Sequence, residues 1–115
     1  MHHADVKTAG FVFAARLDEL EAALPHGVIL PNGARVCLVK VEDEVLAVDD
    51  RCPHRDFGIS GGDLVGPCVI ECPWHGARFD LRTGAVLQGP ATDDLGTYPV
   101  RIAGSDIFVG PRRGS

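Results

Sequence analysis

The sequence reads Cys52-Pro53-His54 and then, after seventeen residues, Cys72-Pro73-Trp74-His75. Each segment supplies one thiol and one imidazole, and both groups bind transition metals. Prolines and glycines surround the two segments, and these residues fix the shape of a loop with few residues. The pattern therefore predicts a metal centre held between two loops.

Two cysteines and two histidines could also bind a single structural zinc ion. Zinc modules usually separate ligands of the same loop by two to four residues, whereas one residue separates Cys52 from His54. A disulfide between Cys52 and Cys72 is a further alternative, which a reducing compartment disfavours. The residues alone favour a metal centre other than zinc and leave the zinc-stabilised interaction module open.

The motif resembles that of the Rieske proteins. The flanking sequence is also similar to theirs at Arg51–Arg55, Glu71–Asp80 and Thr83-Gly84, and Gly89-Pro90-Ala91 resembles the proline loop that covers the cluster in that family. The specificity of the resemblance lies in residues 51–91.

The resemblance implies a [2Fe–2S] cluster in which Cys52 and Cys72 bind one iron and His54 and His75 bind the other. With two ferric ions, two sulfides and two thiolates the cluster is neutral, whereas four thiolates would give a charge of −2. Because a neutral cluster accepts an electron more readily, such clusters have potentials of roughly −150 to +300 mV, against about −400 mV for plant-type ferredoxins.

High-potential Rieske proteins carry an additional cysteine in each ligand loop, joined as a disulfide, and a serine that donates a hydrogen bond to a sulfide. Phe57, Trp74 and Ala77 stand at those positions here. Fewer donors stabilise the reduced cluster less, so we expect a potential at the low end of the range. This combination resembles the ferredoxin components of bacterial aromatic-ring-hydroxylating dioxygenases.

That resemblance implies a one-electron carrier with no catalytic residues of its own. Its partners would be a flavin-containing NAD(P)H-dependent ferredoxin reductase and a terminal Rieske oxygenase. The alternative is a Rieske-like small subunit of a larger redox enzyme, such as assimilatory nitrite reductase. Persistence as a free monomer that shuttles between partners would decide against that alternative.

Composition limits the remaining possibilities. A length of 115 residues fits one domain, residues 1–115, with the cluster-binding subdomain at about residues 50–90. A net charge of −5 disfavours nucleic acid, since phosphate binding requires a basic face. No apolar run is long enough for a membrane span. We expect a soluble, cytoplasmic monomer.

The fold expected from the pattern and the resemblance is all-β, a small antiparallel sandwich or barrel that carries the loop-rich subdomain. Apolar, β-branched runs predict strands, and spaced leucines predict a short helix of one or two turns at Leu17–Leu24. The predicted strands are Phe11–Ala15, Val28–Leu30, Arg35–Val41, Glu44–Val48, Tyr98–Ile102 and Asp106–Val109.

The remaining candidate residues have structural interpretations. Cys37 lies within an apolar run and is expected to be buried, and Cys68 is expected to be structural because no histidine accompanies it. His26 is expected in a surface turn. The acidic run Glu42–Glu44 is expected to form a hydrated hairpin tip.

Overall fold

The computed structural model describes residues 10–51, 58–73, 76–89 and 93–113. The regular structure in these ranges consists of eleven strands and two short 3-10 turns. The strands are β1 (Val12–Arg16), β2 (His26–Ile29), β3 (Arg35–Val41), β4 (Glu44–Asp49), β5 (Asp63–Gly66), β6 (Val69–Glu71), β7 (Arg78–Asp80), β8 (Val86–Gln88), β9 (Thr97–Tyr98), β10 (Val100–Ala103) and β11 (Asp106–Val109). The all-β prediction is confirmed.

The strands form three antiparallel sheets. The first has the order β1-β11-β10, the second β2-β3-β4-β9, and the third β5-β6-β7-β8. The first sheet pairs a strand from the start of the chain with two from its end, and the third is built from the middle of the sequence. Strands from both ends of the sequence therefore form one part of the fold, and the middle of the sequence forms a separate sheet.

Strand β3 explains how the sheets pack. Successive side chains of a strand point to opposite faces. Val36 and Leu38 pack with residues of the first sheet, such as Ile107, whereas Cys37 and Val39 pack with residues of the third sheet. The second sheet is therefore the middle layer, and β3 is covered on both faces, which is why its residues 36–39 are all apolar and buried.

The segment after β1 differs from its prediction. Only Leu17–Glu19 forms a 3-10 turn, and Leu20 is already extended, with φ −97° and ψ 134°. Leu20 is buried in the core, Ala22 bridges to Lys40, and Leu24 is 53% exposed. Because a short helix gains few hydrogen bonds after its costly first turn, pairing with β3 is favoured over a second helical turn.

Three other predictions need correction. The predicted strand Tyr98–Ile102 is divided at Pro99 into β9 of the second sheet and β10 of the first. The loop-rich middle contains the four strands of the third sheet, each three or four residues long. His26 does not lie in a turn but begins β2, where it pairs with Leu38 and is partly buried. The long strand β3 provides backbone partners beyond Val28, so that β2 begins two residues earlier than its side-chain pattern indicates. No helix in the described ranges is long and apolar enough to cross a membrane.

Candidate metal centre

One of the four predicted ligands is placed by the structure. Cys72 directly follows β6, is 2% exposed, and belongs to the core between the second and third sheets. The other three, Cys52, His54 and His75, lie outside the described residues, as do Phe57, Trp74, Pro90 and Ala91. The described residues contain no group of three metal-binding side chains. They show instead how each ligand-bearing segment is closed at its base, which is the place where the segment leaves and rejoins the sheets.

The first segment is closed by Asp50, which follows β4 and is 6% exposed. Its carboxylate accepts the backbone N–H of Ser60 at 2.6 Å and the Ser60 hydroxyl at 2.8 Å. A Cβ atom on Gly27 of β2 would lie only 2.5 Å from the same carboxylate. Residues on both sides of the Cys52–His54 segment are therefore joined through one buried acid.

The second segment is closed between β6 and β7. The backbone N–H of Cys72 donates to the carbonyl oxygen of Ala77 at 2.7 Å. One residue further out, the Arg78 guanidinium donates to the Glu71 carboxylate at 3.1 Å. Gly76 has a φ of +71°, a conformation that glycine adopts without strain. Cys72 therefore stands at the neck of a tight loop.

Gly62 brings the two bases together. It follows the 3-10 turn Ile59–Gly61, and a Cβ atom added to it would lie 1.9 Å from the carbonyl oxygen of Glu71. The next residue, Asp63, pairs with Glu71 across β5 and β6. The chain leaving the first segment therefore touches the chain entering the second, at one end of the third sheet.

The described residues on either side of the segment that resembles a proline loop are hydrogen-bonded to their surroundings. The Gln88 side chain donates to the carbonyl oxygen of Gly76 at 3.2 Å. At the other end, the Asp94 carboxylate accepts the N–H of Val86 at 2.9 Å, and the N–H of Leu95 donates to Gly84 at 2.8 Å. The residues that flank positions 89–94 are thus fixed to β8 and to the turns beside it.

Sequence reasoning missed a polar network at the end of β4. The Asp49 carboxylate accepts hydrogen bonds from Arg112 at 2.9 and 2.7 Å, from the Tyr98 hydroxyl at 2.9 Å, and from the N–H of Gly96 at 2.8 Å. Burial alone would raise the pKa of Asp49, but these donors outweigh it and hold that pKa below its usual value. Arg112 lies 63 positions from Asp49, and no local sequence signal marks such a pair.

The network predicts an unusually high pKa for Tyr98. Burial, and then the hydrogen bond to the Asp49 carboxylate, raise the pKa of Tyr98 to about 12. Tyr98 is the only tyrosine in the chain, so the tyrosinate absorbance in the near ultraviolet should rise with a midpoint at about pH 12. The unfolded chain loses this proton near the ordinary pKa of about 10. Folding stability should therefore fall as pH rises from about 10 to about 12.

Asp49→Asn provides the control for this titration. The variant removes the negative charge beside the phenol while the tyrosine stays buried, so its midpoint should move part of the way back towards 10, the ordinary value. A wild-type midpoint near 10, or the same midpoint in both proteins, would contradict the network.

The predicted burial of Cys37 is confirmed, and the structural role expected for Cys68 stays a prediction. Cys37 is fully buried, and burial raises the pKa of its thiol, which keeps it protonated and unreactive. Cys68 is half-buried and packs against the core between the second and third sheets. The acidic hairpin tip is exposed, with Glu44 paired to Arg82.

The described residues fit a metal centre with thiolate ligands. Cys72 supplies a buried thiol at the neck of a loop closed by hydrogen bonds, and apolar residues such as Ile59 and Phe79 belong to the same core cluster. Soft thiolate ligands select iron–sulfur clusters, copper(I) or zinc, and a dry, hydrogen-bonded shell tunes such a centre.

Comparisons with known proteins agree with this site. The family model described as Rieske [2Fe-2S] domain matches residues 10–99. A curated relative, the 3-phenylpropionate/cinnamic acid dioxygenase ferredoxin subunit of Shigella boydii serotype 4 (strain Sb227), is 47% identical over 90 residues, which cover 76% of this chain and 85% of the relative.

Two solved structures are similar along most of their length. The ferredoxin of carbazole 1,9a-dioxygenase from Nocardioides aromaticivorans IC177 has a TM-score of 0.82 and 33% identity, with 88% of this chain and 97% of that chain covered. A chain in the complex of reduced oxygenase and oxidized ferredoxin in carbazole 1,9a-dioxygenase has a TM-score of 0.83 and 26% identity, with 93% and 99% covered.

Proposed function

This chain belongs to the Rieske [2Fe-2S] domain family, and from that membership we propose that it delivers single electrons to a ring-hydroxylating oxygenase. Its cofactor is one Rieske [2Fe–2S] cluster, which accepts and releases one electron when bound. The 47% identical relative is named as a ferredoxin subunit of a dioxygenase, and this is the observation that carries the proposal. The chain is an electron carrier, not an enzyme.

We further propose that Cys52 and Cys72 bind one iron and that His54 and His75 bind the other. The position of Cys72 at the neck of a closed loop supports this assignment. The contact of Gly62 with Glu71 supports it as well, because it brings the bases of both ligand-bearing segments to one place. What this chain contributes is a fixed base for each segment and a core that excludes water behind Cys72.

The partners follow from the relatives. One similar structure is a complex of an oxygenase with its ferredoxin, which supports a terminal oxygenase as the electron acceptor. The proposed donor is a flavin-containing ferredoxin reductase that uses NAD(P)H. We also propose that the chain acts in the cytoplasm as a monomer and as one domain. The nitrite reductase alternative is less well supported, because the 47% identical relative belongs to a dioxygenase.

A redox titration tests the carrier function. The holoprotein should take up one electron per chain, at a potential in the lower part of the range of roughly −150 to +300 mV. Ala77 is fully buried and has no hydroxyl to donate to a sulfide, which is the reason for expecting the lower part. Absence of a one-electron step would overturn the proposal.

Rapid mixing tests the partner. The reduced holoprotein should be reoxidised when it is mixed anaerobically with the oxidised oxygenase component of a 3-phenylpropionate/cinnamic acid dioxygenase. A matched mixture with the catalytic subunit of an assimilatory nitrite reductase should leave it reduced. Transfer to the nitrite reductase and not to the oxygenase would favour the alternative.

A further inference from the structure

Arg112, near the end of the chain, makes a long-range contact with Asp49, which lies three residues before Cys52. Its guanidinium donates through Nε and Nη2 to the two carboxylate oxygens of Asp49, at 2.9 and 2.7 Å. Such a bidentate ion pair fixes the orientation of the two side chains as well as the distance between them. The guanidinium also lies very close to the backbone of Gly96, because a Cβ atom on that residue would be only 2.4 Å from the Arg112 Nε. The guanidinium therefore rests directly on the backbone at residue 96.

The two residues under Arg112 lie beside two different loops. Asp49 ends β4, three residues before Cys52, and Gly96 follows the segment 89–94. They are joined twice: the N–H of Asp49 donates to the Gly96 carbonyl at 3.0 Å, and the N–H of Gly96 donates to the Asp49 carboxylate at 2.8 Å. Asp49 and Gly96 therefore set the separation between the residue that leads into the first ligand-bearing segment and the residue that follows the segment 89–94.

Charge explains why this link depends on Arg112. The Asp49 side chain is 18% exposed, and its other two donors, Tyr98 and the Gly96 N–H, are neutral. The Arg112 side chain is 44% exposed, so only the carboxylate is largely enclosed, and removing the arginine leaves that carboxylate with two neutral donors and no charged one. Without Arg112, the carboxylate would gain stability by turning towards water and would release Gly96.

We propose that Arg112 is a positioning residue for the cluster, acting through Asp49 to hold the first ligand-bearing segment and the segment 89–94 in one arrangement. This inference rests on the proposed function, in which Cys52 and His54 bind the iron atoms. In this proposal Arg112 does not touch the cluster. It narrows the range of orientations that the side chains of Cys52 and His54 adopt around the iron atoms.

The test compares two arginines that are adjacent in sequence. Arg113 makes its hydrogen bonds to Thr97 through the backbone, so Arg113→Ala removes the same charge as Arg112→Ala and leaves Asp49 bound. Holoproteins of both variants and of the wild type are reduced, and the electron paramagnetic resonance g-values and linewidths are recorded. The rate of cluster loss to an iron chelator is measured on the same samples.

Arg112→Ala should shift and broaden the g-values and lose its cluster about tenfold faster than the wild type, the low end of the effect of outer-shell partners. Arg113→Ala should match the wild type in g-values, since a remote charge alone does not reorient ligands. Arg112→Lys restores the charge with a single donor group and should give an intermediate spectrum.

The outcomes separate this inference from the function on which it rests. A wild-type holoprotein without a Rieske spectrum overturns the proposed function. A normal wild-type spectrum with identical g-values in Arg112→Ala and Arg113→Ala overturns the positioning role alone. If Arg112→Ala does not fold, Asp49→Asn tests the same link, because it keeps the shape and removes the charge that Arg112 binds. Wild-type g-values in that variant would overturn the role as well.

Discussion

Cys72→Ala should yield a folded or partly folded protein without the visible absorption of a [2Fe–2S] cluster, whereas Cys68→Ala should keep that absorption. Both substitutions remove one thiol from the third sheet, four residues apart. Cys72 is at the neck of the loop whose backbone closes onto Ala77. Cys68 is at the turn between β5 and β6, where its carbonyl oxygen accepts the N–H of Leu81.

The expected difference is close to all or none. A Rieske cluster has only two thiolate ligands on one iron, and alanine cannot replace either of them. Iron and acid-labile sulfide per chain should fall to near zero in Cys72→Ala and remain at the wild-type value in Cys68→Ala. Full iron and sulfide content in Cys72→Ala would contradict the ligand assignment, and loss of the cluster in Cys68→Ala would show that the thiols act through the fold instead.

The candidate ligand pattern could be recognised in the sequence because each half of it is local, and the assignment of the four ligands stays a prediction. Cys72 and His75 lie within four residues, and the chemistry of thiol and imidazole side chains is the same in any fold. Strand β3 was readable for a similar reason, since burial on both faces makes residues 36–39 consecutively apolar, and its observed bounds, Arg35–Val41, are those predicted. Local pattern was sufficient where one short segment carries all the information.

The features that close the site could not be read in the same way. Asp50 and Ser60 are ten positions apart, and Asp49 and Arg112 are 63 apart. Neither pair has a spacing that local structure imposes. The third sheet was interpreted as mostly loop because its strands have three or four residues, too few to show an alternating pattern. In each case the partner that gives a residue its role lies outside the window in which a pattern can be seen.

Gly62→Ala should lower the melting temperature strongly, while Gly61→Ala, one residue earlier, should change it little. A Cβ atom at residue 62 would lie 1.9 Å from the carbonyl oxygen of Glu71 and 3.3 Å from that of Ile59. Both are backbone atoms, so no side chain can rotate away. At residue 61 the nearest neighbour is Cγ of Pro73 at 3.7 Å, an ordinary contact.

The clash in Gly62→Ala can be relieved only by separating the 3-10 turn from β6. Separation would weaken the pairing of Asp63 with Glu71 and uncover part of the core at Ile59. A forced backbone shift of this kind costs about 3 kcal/mol, which corresponds to a decrease of roughly 10 °C or more in a domain of this size. Gly61→Ala should stay within about 1 kcal/mol of the wild type, since it fills space without strain.

Circular dichroism of the two holoproteins during heating measures this difference, and the visible absorption followed in the same experiment relates it to the site. Because Gly62 joins the exit of the first ligand-bearing segment to the entry of the second, the cluster signal of Gly62→Ala should be lost at a lower temperature than its strand signal. In Gly61→Ala the two signals should change as they do in the wild type. Equal melting temperatures for the two variants would mean that the bases of the two segments are not in contact, and the common base proposed for the four ligands would then have to be abandoned.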